Sequence, residues 1–183
     1  MKITVFSVIF SLISLISVAG DNVAVKTNLI YDGLISPNVG VEMPVLPEWS
    51  VDLSVSYNPF KLSNGKMWKH WLIQPEARYW LGNVFSGHFL AVHVFGGEFN
   101  YSFDRATRRQ GWAAGIGTGY GFAWHIGSRW TIEAEIALGY ARYGYDKYPC
   151  ASCGRVIASR NKNYFGLTKA AVSIAYRFGI KRP

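Results

Sequence analysis

Residues 164–178 read YFGLTKAAVSIAYRF. Taken at every second position, one face carries Tyr164, Gly166, Thr168, Ala170, Val172, Ile174, Tyr176 and Phe178. The other carries Lys169, Ala171, Ser173, Ala175 and Arg177. Such alternation marks a strand, because successive side chains point to opposite sides of a sheet. The apolar face is closed by aromatics at both ends, and the opposite face holds two cations among small residues. That pattern suits a β-strand crossing a bilayer, with lipid outside, a polar interior and aromatic girdles at the two interfaces.

The same alternation recurs upstream. Residues 49–57 set Trp49, Val51, Leu53, Val55 and Tyr57 against Ser50, Asp52, Ser54 and Ser56. Residues 112–124 set Trp112, Ile116, Tyr120, Phe122 and Trp124 against Ala113, Gly115, Gly117, Gly119, Gly121 and Ala123. A face of glycine and alanine makes little sense toward water. Inside a narrow barrel it makes room for large neighbours such as Phe95 and Trp80. Residues 130–140 alternate too, with Glu133 and Glu135 turned inward. Further strands are predicted at 22–30, 38–43, 69–81 and from Leu90 onward, which makes eight. The fold class is therefore all-β, an eight-stranded antiparallel transmembrane β-barrel. Pro75 removes a ladder donor and predicts a bulge or a broken pair. Gly96-Gly97 predicts a bulge that turns Glu98 inward and Phe99 and Tyr101 outward. Connections alternate between tight (44–48, 82–87, 126–129) and longer (31–37, 58–68, 102–110, 141–163). Short periplasmic turns and long extracellular loops are the rule for outer-membrane barrels, so both termini are expected in the periplasm.

The chain has 183 residues, a length for one domain. Residues 1–20 read as a signal peptide: Lys2, an apolar run from Ile3 to Val18, then the small residues Val18-Ala19-Gly20. This leaves 21–183 as the barrel domain and the outer membrane as the expected location. Later apolar stretches are too interrupted for a transmembrane helix.

Inward charges gather as Lys26, Arg78, Lys169 and Arg177 against Glu42, Asp52, Glu76, Glu133 and Glu135. Buried charges need partners, so this near balance predicts an interior of paired ions rather than a water channel. The net charge of +8 is concentrated in the long loops, at Lys61, Lys66, Arg105, Arg108, Arg109, Lys147, Arg155, Arg160 and Lys162. Such loops suit lipopolysaccharide phosphates at the outer-membrane lipid surface, or an acidic surface protein or glycan, or form a plain solvated surface. No nucleic-acid module is recognisable, so no nucleic-acid partner is expected. Cys150 and Cys153 are a disulfide candidate in an oxidising compartment. A redox-active pair would want a helix N-terminus. Zinc would need two further ligands, and His70, His88, His93 and His125 are placed elsewhere. No metal and no cofactor is expected. His125 and Ser128, with Glu133 or Glu135 as orienter, come nearest to a Ser-His pair. Their spacing across a strand end and turn does not align them, so no catalytic residues and no enzyme activity are expected.

The stretches AVKTNLIYDGLISPNVGVEMPV (24–45), WSVDLSVSYNPF (49–60) and AYRFGIKRP (175–183) carry a resemblance. The chain resembles a domain-of-unknown-function family of small outer-membrane proteins from Bacteroides-like bacteria, most clearly at Lys26-Thr27-Asn28-Leu29, Pro37-Asn38 and Tyr57-Asn58-Pro59. The resemblance implies an outer-membrane barrel, and some members are associated with fimbrial assembly genes. It implies no catalytic residues. The expected function is a structural or interaction barrel that displays basic loops, accessory to assembly of a surface structure. The alternatives are a lipid-modifying enzyme of the lipid A deacylase kind and a narrow channel.

Overall fold

Alternation in sequence becomes alternation in burial. Along strand β3 (Trp49–Asn58), Ser50, Asp52, Ser56 and Asn58 are buried, while Trp49, Val51 and Tyr57 are exposed. The computed structural model describes residues 23–60, 66–103, 107–149 and 154–179. The leader expected at 1–20, Lys61, Arg105 and the cysteines Cys150 and Cys153 lie outside the described residues. The other strands are β1 (Val23–Asn28), β2 (Asn38–Leu46), β4 (Met67–Trp80), β5 (Gly87–Ser102), β6 (Arg108–His125), β7 (Trp130–Tyr148) and β8 (Ala158–Phe178). Each pairs antiparallel with its neighbours in sequence, and β1 pairs with β8, so the sheet closes on itself. Among the described residues the one helix is α1 (Leu29–Gly33), and no helix is long and apolar enough to cross a membrane.

The faces are those expected from the alternation. Trp112 is 44% exposed and Ile136 59%, whereas Glu42, Asp52, Glu76, Arg78 and Glu133 are at most 3% exposed. The glycine face of β6 lies inward and is filled from β5. A Cβ at Gly121 would stand 2.2 Å from the Phe89 ring, one at Gly115 2.6 Å from Phe95, and one at Gly117 2.7 Å from His93. Phe95 was expected in this role. Trp80 instead packs tilted against Phe89, with ring centroids 4.7 Å apart, and joins Ala24, Phe85, Ala91 and Ala123 in an apolar cluster at the tight-turn end.

At Pro75 the ladder between β4 and β5 skips Gln74 and Pro75 and resumes in the same register, as a missing donor requires. Gly96-Gly97 overturns its expectation, because the pairing with both neighbours runs through without a shift. Phe99 and Tyr101 therefore stay inward and Glu98 points outward, where its carboxylate accepts from the Trp71 indole at 3.1 Å. Glycine serves close approach here: a Cβ at Gly97 would lie 2.1 Å from the Trp71 carbonyl oxygen.

Register shifts fall elsewhere, at Val45 between Pro44 and Leu46 and in β8. Ala137 faces Lys169 but Leu138 faces Leu167, so Thr168 is the extra residue. Tyr164, Gly166 and Thr168 thus leave the outward face assigned to them, and Phe165, 81% exposed, and Leu167 replace them.

Two connections also differ. Leu29 and Ile30 leave the first strand for α1, because the Asn28 side chain accepts the Ile30 N–H at 3.1 Å and caps the turn. The long stretch 141–163 is mostly strand, paired from Ala141 with Tyr164 out to Lys147 with Ala158. Arg108, Arg109, Lys147, Arg160 and Lys162 therefore stand on strand extensions rather than on loops.

Candidate functional site: a charged plug inside the barrel

The register builds the site. Glu42 faces Asp52 across β2 and β3, and Asp52 faces Glu76 across β3 and β4. Like charges set side by side repel, and the row holds only if cations reach it from other strands. Arg78, two residues along β4 and on the same face as Glu76, is the hub. Its Nε donates to Glu76 Oε1 at 2.6 Å, Nη1 to Glu42 Oε2 and Glu133 Oε2 at 2.8 Å each, and Nη2 to Glu135 Oε2 at 2.8 Å. Its guanidinium lies 4.4 Å from the centroid of Phe89 and caps the apolar cluster.

Lys26 enters from β1. It pairs with Glu42, with Asp52 Oδ2 at 2.9 Å and with Glu133 Oε2 at 3.2 Å. Gly40 opposite makes room, since a Cβ there would be 3.0 Å from Lys26 Cγ. From β8, Lys169 bridges Glu76 Oε2 at 2.5 Å and Glu135 Oε2 at 3.0 Å. Ser50 links plug to cluster: its hydroxyl accepts from Trp80 Nε1 at 2.8 Å and donates to Glu42 Oε1 at 2.5 Å.

Eight of the nine charged residues read as inward thus converge. Arg177 does not. It sits at the tight-turn rim, its Nη2 3.4 Å from His125 Nδ1 and donating to the Ser128 carbonyl at 3.2 Å. Without it the plug sets three cations against five carboxylates, so a fully ionised network carries two surplus negative charges. The near balance expected from sequence is corrected accordingly.

At the opposite end α1 folds over the mouth. Thr27 Oγ1 donates to Asp32 Oδ2 at 2.7 Å, Asn38 Nδ2 donates to Asp32 Oδ1 at 2.9 Å, and Asn38 Oδ1 accepts the Asn28 N–H at 2.7 Å. The Pro37 carbonyl accepts the Tyr57 N–H at 3.0 Å, and Asn58 Oδ1 accepts the Phe60 N–H at 2.9 Å. The short motifs that carry the family resemblance are therefore the ones that tie this connection down. Tyr31 of α1 lines a polar cavity of about 30 Å³ above the plug, shared with Lys26, Asp52, Arg78 and Lys169. Burial pushes its phenol pKa up, against the opposing field of Lys169. Beside it, Tyr31, Trp68, His70, Phe99, Tyr101 and Tyr143 line an aromatic cavity of about 470 Å³. Sequence reading missed this pocket because it had turned Phe99 and Tyr101 outward.

The other site residues fall at the ends. Lys66, Arg155, Arg160 and Lys162 are exposed at the mouth end. Arg108 lies 4.1 Å over the Tyr148 ring, and Arg109 Nη1 donates to the Tyr101 hydroxyl at 3.2 Å. His125 is 3.4 Å from Thr131 Oγ1 and makes no hydrogen bond to Ser128 among the described residues, while Glu133 and Glu135 are held in the plug.

No curated protein and no solved structure matches the chain. Strands β1 to β8, the plug they carry and the tied-down α1 connection all lie within residues 5–178, the span that matches a family model described as "Protein of unknown function (DUF3575)", and the chain belongs to that family.

Proposed function

We propose that the chain is an outer-membrane β-barrel with a non-enzymatic, structural or interaction role, its leader removed and its termini in the periplasm. One observation carries the reading: the closed sheet exposes its large apolar side chains and buries its ions. A contiguous apolar belt of this kind is costly in water and favourable against acyl chains. Aromatic pairs rim the belt at the tight-turn end, with Trp49 and Tyr79 5.2 Å apart and Trp130 and Tyr176 4.9 Å apart. At the other end the outward row Tyr57, Trp71, Glu98 and Trp112 is paired across four strands. On β4, Trp71 and Tyr79 are eight residues apart, which at about 3.4 Å per residue and a tilt of about 40° spans about 21 Å, close to a bilayer's apolar band. Glu98 then sits at headgroup level beside tryptophans rather than in the hydrocarbon.

The cations at the mouth end (Lys66, Arg108, Arg109, Lys147, Arg155, Arg160, Lys162) would face outward, toward lipopolysaccharide phosphates or an acidic surface protein or glycan. A plugged barrel with such a rim suits a scaffold accessory to surface-structure assembly, fimbriae among them. It suits a channel poorly, because ion pairs and the packed Trp80 and Phe89 rings fill the lumen.

The test is fractionation of a Gram-negative host expressing the full chain. The protein is expected in the outer-membrane fraction, resistant to carbonate extraction, with a gel mobility that shifts on boiling. Recovery from the periplasm without detergent overturns the reading.

A further inference from the structure

The plug is unfinished on one side. His93 is 1% exposed, and neither of its ring nitrogens has a hydrogen-bond partner. Its Nδ1 stands 3.8 Å from Glu76 Oε2. Glu135, 6% exposed, uses Oε2 for Arg78 and Lys169 and leaves Oε1 without a partner. Polar atoms buried this deeply cost free energy unless something satisfies them. Ligand atoms of His93, Glu76 and Glu135, one from each, lie within 4.8 Å of one another. The same network, fully ionised, carries two surplus negative charges.

We infer that Glu76, His93 and Glu135 form a binding site for one divalent transition-metal ion. An imidazole nitrogen with two carboxylates is a borderline donor set, suited to Zn²⁺ and its first-row neighbours rather than to Mg²⁺ or Ca²⁺, which take oxygen ligands. Two ligand atoms each about 2.1 Å from an ion can be no more than about 4.2 Å apart. In a tetrahedral shell such atoms stand about 3.4 Å apart, so ligand atoms now within 4.8 Å of one another draw closer around the ion. A +2 ion balances the fully ionised plug and gives one His93 ring nitrogen a partner.

Lys169 lies between the two carboxylates and has to yield. It has a place to go. The cavity of about 30 Å³ on its other side is lined by Asp52, whose Oδ1 has no partner. Gly117, opposite His93, leaves the imidazole its room, because a Cβ there would press on Nε2 at 2.8 Å. Nothing in this site depends on a membrane setting.

The experiment titrates Zn²⁺, with Mg²⁺ as comparison, into the purified full chain after EDTA stripping and dialysis. Calorimetry is expected to give one equivalent of tight Zn²⁺ and none of Mg²⁺, with a thermal midpoint that rises with free Zn²⁺. His93→Gln and Glu135→Gln should each weaken Zn²⁺ binding by at least roughly tenfold, while His88→Gln on the outer face leaves it unchanged. No uptake by the stripped protein, or uptake undiminished in both inner variants, overturns the site. If the variants do not fold, X-ray absorption on the Zn²⁺-loaded wild type decides: one imidazole among oxygen ligands supports it, and a shell without imidazole overturns it.

Discussion

Two plugs fill one cylinder in different ways. At the tight-turn end, Trp80, Phe85 and Phe89 close the lumen by shape, on a floor of alanines and glycines that gives up side-chain volume to admit them. In the middle, Lys26, Arg78 and Lys169 close it by charge, gathering five carboxylates from four strands. The apolar plug is complete: among its described residues the Trp80 indole has its partner. The charged plug is not, and Asp52, His93, Glu133 and Glu135 keep unpartnered atoms. Packing by shape can be finished with local choices of size. Packing by charge needs every donor and acceptor matched across strands distant in sequence, and the mismatch left over is where a ligand can act.

Removing the hub separates the two plugs most sharply. Arg78→Met is expected to cost about 3–5 kcal/mol, because it leaves carboxylates buried without their main counter-charge. Guanidinium unfolding in detergent or lipid measures it, and a loss below 1 kcal/mol would mean that the lysines alone hold the network. The shape-built plug should be less sensitive. Gly121→Ala drives a Cβ into the Phe89 ring and is expected to cost up to about 3 kcal/mol by overpacking, read in the same assay. Ser50 is the joint, and Ser50→Ala should cost about 1–2 kcal/mol by stranding the Trp80 donor and a Glu42 oxygen. A double mutant with Arg78→Met measures how far the plugs act as one: additive losses would make them independent, and a coupling above about 0.5 kcal/mol would join them.

The faces of the sheet were legible because period-two patterning is local. Ser50, Asp52 and Ser56 announce their side within one strand, and a glycine face on β6 announces bulky neighbours. What was hidden depends on register. The acid row of Glu42, Asp52 and Glu76 exists only once three strands are aligned, and Lys26 meets Glu133 only after the ring closes. A bulge went to Thr168, a residue with no conformational signature, while in Gly96-Gly97, which carries one, Gly97 served close backbone approach. Arg177 has the right parity but sits at the rim, four residues along β8 beyond Ser173, the partner of Glu133. His93 shares the parity of Phe95, which was expected inside, yet its convergence with Glu135 required the packing of β4, β5 and β7.

The seam between β1 and β8 spans six residues, whereas β7 and β8 are paired over eighteen. It also joins the most distant parts of the chain, since Val23 meets Phe178. A zip made between ends that must first find each other is the last to close. Lys26 rides on that short strand and reaches across to β7, so it serves as the bolt of the door. Whatever loosens its grip on Glu133 unlatches the whole hoop at a single place.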